Sequence, residues 1–246
     1  MKENHDQRHV IGRTACRYLM YAFLVGGMAA AITWEACYSD QAHLFGEQSL
    51  LESLQVTLLF LTALCVYSAG YLNGRRGALE TLLAGFASIA LIRELDAALD
   101  HAFFDGAWQL LASLTAIAII FALVRHRKEL HSSISSFARQ PSFGIMYAGF
   151  MTVFVFSRMM GRKVLWQTIM GDGYMRIVKT TVEESLELLG YTLIFIGAIE
   201  FLRERAMQSS AAREKVTRAW LTVVTFNGIL SHKRKSGKRY PTPYRR

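Results

Sequence analysis

Apolar residues along this chain fall in long blocks separated by short polar stretches, rather than at the spacing of an amphipathic surface helix. Blocks of membrane-crossing length, about 20 residues for a hydrocarbon core of about 30 Å, occupy 18–34, 50–70, 78–99, 107–124, 142–160 and 181–201. The pattern predicts an all-α fold: a polytopic integral membrane helical bundle of about six transmembrane helices. It divides the chain into an N-terminal segment (1–17), a membrane domain (18–206) and a basic tail (207–246). The first block runs past Ala29, Ala30 and Ala31, the small-residue pattern of a signal-peptide cleavage site. Its apolar run is longer than a usual signal core, so a retained first helix is expected.

The polar stretches supply the turns. Residues 35–49 form a loop carrying Asp40, His43 and Glu47, Gly74 centres a short turn, and Asp105 and Gly106 signal a tight one. The segment 125–141 is basic and serine-rich. Residues 161–170 are amphipathic and include Trp166, which suits the headgroup level. Gly171 and Gly173 break that piece, and a long helix is expected from near Tyr174 through the sixth block. Residues 216–230 are moderately apolar and short for a crossing, so a helix lying on the membrane surface is expected there.

Charge orients the bundle. Four basic residues precede the first block (Lys2, Arg8, Arg13, Arg17), two sit in the Gly74 turn (Arg75, Arg76), four follow the fourth block (Arg125, Arg127, Lys128, Arg139) and twelve follow Phe201. These segments lie on one side of a six-span chain and hold 22 of the 28 basic residues, so they and both termini are expected to be cytoplasmic. Twelve of the nineteen acids lie on the opposite half. The net charge of +9 is then mostly a topology signal; no nucleic-acid partner is expected, and the basic tail suits anionic lipid headgroups. A charged fraction of 19%, against about a quarter in soluble domains, agrees with a lipid environment. The compact form and short loops suggest a bacterial inner membrane, and an oligomer or protein partner is compatible with such a chain. Cys16, Cys37 and Cys65 are expected at different depths, where no pair meets disulfide geometry. The zinc, P-loop, dinucleotide and nucleophile-elbow signatures are all missing.

The chemistry concentrates in one layer. The sixth block opens with Glu183, Glu184 and Glu187, three and four residues apart on one helix surface. Arg93, Asp96 and Asp100 follow i, i+3, i+7 at the end of the third block, with Glu94 and His101 on a neighbouring face. Glu52 and Gln55 enter from the same side, and Arg158 leaves there. At 1.5 Å per residue, Arg93 lies about 22 Å from Ala78, in the outer part of the core and level with Glu187.

Three readings fit such a layer. It can be a structural ion-pair network built on Arg93 and Arg158. It can be a site that binds or translocates a cation or proton, because seven acids face two arginines. It can be a membrane enzyme in which Asp100, His101, Glu183 and Glu187 hold a divalent cation and act on a lipid or lipid-linked substrate. Small residues, Gly26, Gly27 and Gly190, are expected to permit close helix packing.

Overall fold

A computed structural model describes residues 2–38, 49–72 and 77–236, with side chains described for 11 onward in the first helix and up to 210 in the last. The expected loop acids and His43, the Gly74 turn and the end of the basic tail lie outside the described residues. Every described element is helical: α1 (Lys2–Tyr38), α2 (Leu50–Leu72), α3 (Ala78–Glu94), α4 (Asp96–Ala102), α5 (Ala107–Arg125), α6 (Arg127–Phe137), α7 (Pro141–Met151), α8 (Arg158–Met160), α9 (Lys163–Met170) and α10 (Arg176–Ser236). A π-helical segment, Thr152–Ser157, joins α7 to α8 in one 20-residue rod.

Among the described residues, five helices are long and apolar enough to cross a membrane: Ile11–Tyr38, Leu50–Leu72, Ala107–Arg125, Pro141–Met160 and Arg176–Ser210. The third apolar block behaves differently from its expected single helix. It bends at Leu95 (φ −100°, ψ 16°), leaving α3 with 17 residues and α4 with seven. Of the shared face expected for Arg93, Asp96 and Asp100, Arg93 and Asp96 line one cleft and Asp100 departs from it.

Helix α10 is the hub. It packs against α7, the π-helical segment, α2 and α1, while α3 bridges α2 and α5. In lipid, helices associate through close packing and interhelical polar contacts rather than through escape from water. Close packing is visible where α7 crosses α10: a Cβ on Gly149 would lie 2.6 Å from the Gly190 carbonyl oxygen, and one on Gly197 would lie 3.0 Å from the Met146 nitrogen. Gly26 and Gly27 do not serve this purpose among the described residues, since a Cβ on either meets nothing within 4 Å. Leu51, Leu58, Leu59, Val153, Leu188 and Tyr191 fill one half of the core, and Val66, Ala69, Leu79, Phe137, Ala198 and Phe201 fill the other half.

Polar contacts tie the rods to α10 at two levels. At one end of α3, Arg93 lies 3.5 Å from Glu187; at the other, Glu80 lies 3.2 Å from Arg205. Those partners are 18 residues apart on α10, about 27 Å. The α7–α8 rod is tied likewise, by Ser142 to Glu204 (2.6 Å) and by Ser157 to Glu187 (2.9 Å). Helix α2 donates from Gln55 to Glu184 at 3.0 Å, and its Leu72 carbonyl accepts from Ser209 at 3.2 Å.

The last helix does not end at the second level. Its backbone stays helical to Ser236, where a separate surface helix over 216–230 was expected. Residues 206–226 contain no glycine or proline and are rich in alanine, arginine, glutamate and lysine at the membrane-proximal end, so no residue there terminates the helix.

Candidate functional site

Glu187 anchors the first of these two levels. It is 3% exposed, and its Oε1 accepts from Ser157 Oγ (2.9 Å) and from Arg158 Nη2 (2.7 Å). Its Oε2 is 3.5 Å from Arg93 Nη2. The π-helical segment changes the rotation per residue before Ser157 and Arg158, and these consecutive side chains reach the same carboxylate oxygen; such segments recur at functional sites. Arg93 also meets Glu94 at 2.9 Å, and Glu94 accepts from the Tyr191 hydroxyl at 2.7 Å. Arg158 is 3.5 Å from Glu183, which pairs with Lys179 one turn earlier at 2.6 Å. Arg93, Glu94, Arg158, Glu183, Glu187 and Tyr191 thus form a single chain of contacts across α3, α8 and α10.

Above this clamp lies a polar cleft of about 550 Å³. Its walls carry the carboxylates of Glu52, Glu94, Asp96, Glu183 and Glu184 and the cations Arg93, Arg176 and Lys179, with Trp108 as an aromatic wall. Lys179 sits on Glu183 and Arg93 on Glu94, and the cleft also carries the carboxylates of Asp96 and Glu184 and the cation Arg176. Gln55 holds Glu184 through its Nε2, and the Asp96 carboxylate accepts from the Ala97 backbone at 2.7 Å.

Two expected members stand apart. Asp100 Oδ1 accepts from the backbone nitrogens of Gly106 (3.1 Å) and Trp108 (3.4 Å). The first turn of α5 has unsatisfied N–H groups, and the bend at Leu95 turns Asp100 onto them. His101 is exposed on α4. Among the described residues no group of three or more His, Cys, Asp or Glu side chains is placed to hold a metal ion. The set Asp100, His101, Glu183 and Glu187 is therefore not assembled as a divalent-cation centre: Asp100 caps a helix, and arginine and lysine occupy Glu183 and Glu187.

Two apolar cavities lie beside the cleft. One of about 190 Å³ shares Arg93 and Trp108 with it and is otherwise lined by Phe86, Ile89, Ala112, Phe154 and neighbours. Another of about 280 Å³ shares Phe86 and continues along Leu82, Leu83, Phe143, Met146 and Phe150.

A second polar level escaped the sequence reading. Glu200, 5% exposed, accepts from the Tyr21 hydroxyl at 2.7 Å and lies 2.7 Å from Arg17 Nε and 3.2 Å from Arg203. The Arg17 contact is electrostatic rather than a directed hydrogen bond, since the Nε hydrogen has no aligned acceptor among the described residues. Glu80 and Glu204 are held by Arg205 and Ser142. The signal was present: Glu200 and Glu204 lie one turn apart at the end of the last apolar block, where a carboxylate needs a partner. Glu35, expected in a loop, is 3% exposed and accepts from the first nitrogen of α2, Leu50, at 3.1 Å.

Compared with family profiles, curated proteins and solved structures, the chain matches none, so its membrane-helical character rests on its own five long apolar helices.

Proposed function

We propose that this chain is a six-span protein of a bacterial inner membrane, with both termini cytoplasmic, that binds an organic cation in its outward-opening acidic cleft. The sixth span is α3. It is 17 residues long, the lower limit for a crossing, and its two ends are tied to residues about 27 Å apart on α10. The basic residues around Arg127, Lys128 and the start of the tail support a cytoplasmic Glu200 level, with the cleft on the opposite side.

One observation carries the functional reading: the excess of carboxylate over cation around a cleft of about 550 Å³. That volume lies within the range of small-molecule pockets, about 300–1,000 Å³, and is far more than a bare metal ion fills. The Trp108 ring adds a face that attracts ammonium groups. Glu187, held by Arg93, Arg158 and Ser157, supports the wall from below as an ion-pair clamp. Binding is supported better than translocation. Between the two polar levels, the described helices carry no carboxylate, histidine or lysine that could pass on a cation or proton.

The test is titration of the detergent-solubilised protein with ethanolamine hydrochloride, read by calorimetry, against sodium chloride. Saturable binding of ethanolamine that weakens about tenfold in Glu184→Gln is expected, one charge-assisted contact being worth about that factor. Glutamine there can still accept from Gln55, so the fold is retained. Absence of saturable ethanolamine binding overturns the reading.

A further inference from the structure

The polar cleft is not a closed bowl. Arg93 and Trp108 are walls both of the cleft and of the apolar cavity beside it, and Phe86 is a wall both of that cavity and of the larger groove beyond. The three spaces follow one another down α3, from Asp96 through Arg93, Ile89 and Phe86 to Leu82. Their character changes once, from charged to apolar, at Arg93 and Trp108. A solute that filled only the cleft would leave a neighbouring apolar cavity of about 190 Å³ empty.

From this succession we propose that the natural occupant is a zwitterionic aminophospholipid of the outer leaflet. Its headgroup lies in the cleft and one acyl chain lies in the crevice between α3, α5 and the π-helical segment. The inference rests on the ammonium reading of the cleft and adds the remainder of the molecule. Three observations fix the class. The first is charge. The cleft is mixed rather than purely acidic: Arg176, exposed at its edge, suits a phosphate, while Glu184 and Asp96 suit an ammonium.

The second is length. Arg93 to Phe86, the middle of α3, is seven residues, about 10 Å along the helix, and half of a hydrocarbon core is about 15 Å. A chain entering at Arg93 therefore fills the crevice as far as Phe86 and ends near the middle of the bilayer. The third is access. Phe154 is 41% exposed on the bundle surface and lines the crevice, so the crevice opens sideways where a lipid chain enters from the bilayer. The apolar wall contributed by α3 and α5 is made of Phe86, Ile89, Ala90 and Ala112, among which a flexible chain finds only dispersion contacts.

The experiment uses the full chain in nanodiscs of phosphatidylcholine doped with either phosphatidylethanolamine or phosphatidylglycerol of identical chains, and native mass spectrometry after transfer to detergent reads the retained lipid. Free phosphoethanolamine, the headgroup without chains, is titrated in parallel. Retention of phosphatidylethanolamine about tenfold above phosphatidylglycerol is expected, because glycerol lacks the ammonium that the carboxylates meet. Phosphoethanolamine is expected to bind more weakly than the lipid. Ala112→Phe, which places a ring in the crevice, should reduce phosphatidylethanolamine retention to the phosphatidylglycerol level. Arg176→Gln, at an exposed position that folding does not need, should reduce it severalfold.

Equal retention of the two lipids by the wild type overturns the proposal and the ammonium reading together. Binding of phosphoethanolamine as tight as that of the lipid overturns the proposal alone. So does unchanged lipid retention in a folded Ala112→Phe protein. If Ala112→Phe does not fold, the comparison of lipids on the wild type and on Arg176→Gln decides.

Discussion

Glu187→Gln probes the clamp beneath the cleft with the smallest change of shape. The carboxylate is 3% exposed and receives a hydrogen bond from Ser157 at 2.9 Å, another from Arg158 at 2.7 Å, and the charge of Arg93 at 3.5 Å. Stranding a fully buried ion costs about 3–5 kcal/mol. Two facts reduce that here. Arg93 lines the polar cleft, where water screens it, and each arginine keeps a second acid, Glu94 for Arg93 and Glu183 for Arg158. The residual cost is one charge-assisted hydrogen bond with partial screening, about 1.5–3 kcal/mol. For a chain of this length that corresponds to a melting temperature lower by roughly 3–12 °C. The assay is a detergent melt followed by size-exclusion fluorescence, with monodisperse, membrane-inserted protein as the entry condition. Ser157→Ala in the same background should add little, because its partner oxygen is already altered. A variant that melts with the wild type refutes the reasoning: Glu187 would then carry no net pairing energy.

The other expectations can be checked separately. Glu200→Leu removes the acceptor of Tyr21 and the counter-charge of Arg17 at the second polar level, and membrane yield should fall with a loss of about 3 kcal/mol; wild-type yield and melting would show that level to be incidental. Gly149→Leu should disrupt the α7–α10 crossing, where a Cβ meets the Gly190 carbonyl at 2.6 Å, whereas Gly26→Leu, with open space around it, should be tolerated. Equal behaviour of the two would argue against the crossing. Cysteine labelling should reach Asp105 and Gly171 positions from outside and Ser133 only from the cytoplasm; external access to Ser133 would refute the six-span orientation.

Much of the architecture was legible because lipid imposes a one-dimensional constraint. Every backbone polar group must be satisfied within its own segment, so length and hydropathy alone specify helices. The blocks read at 50–70, 107–124 and 142–160 lie within Leu50–Leu72, Ala107–Arg125 and Pro141–Met160. Depth was readable for the same reason: a fixed rise per residue puts Arg93 and Glu187 at one level, and their side chains lie 3.5 Å apart.

What the sequence could not decide is rotation and pairing. Depth says nothing of which face of α3 meets α10, so Asp100 was grouped with Arg93 and Asp96, which do share the cleft, and the bend at Leu95 sends Asp100 to the first turn of α5. Glu200, Glu204 and Glu80 were not singled out because their partners, Arg17, Ser142 and Arg205, come from helices far apart in the chain. The succession from charged cleft to apolar crevice exists only between helices, where α3, α5 and α10 leave space that none of them encodes alone. Composition along a chain fixes where each residue sits along the membrane normal. Lateral packing, set by glycine contacts and long-range ion pairs, decides which residues face one another at that depth.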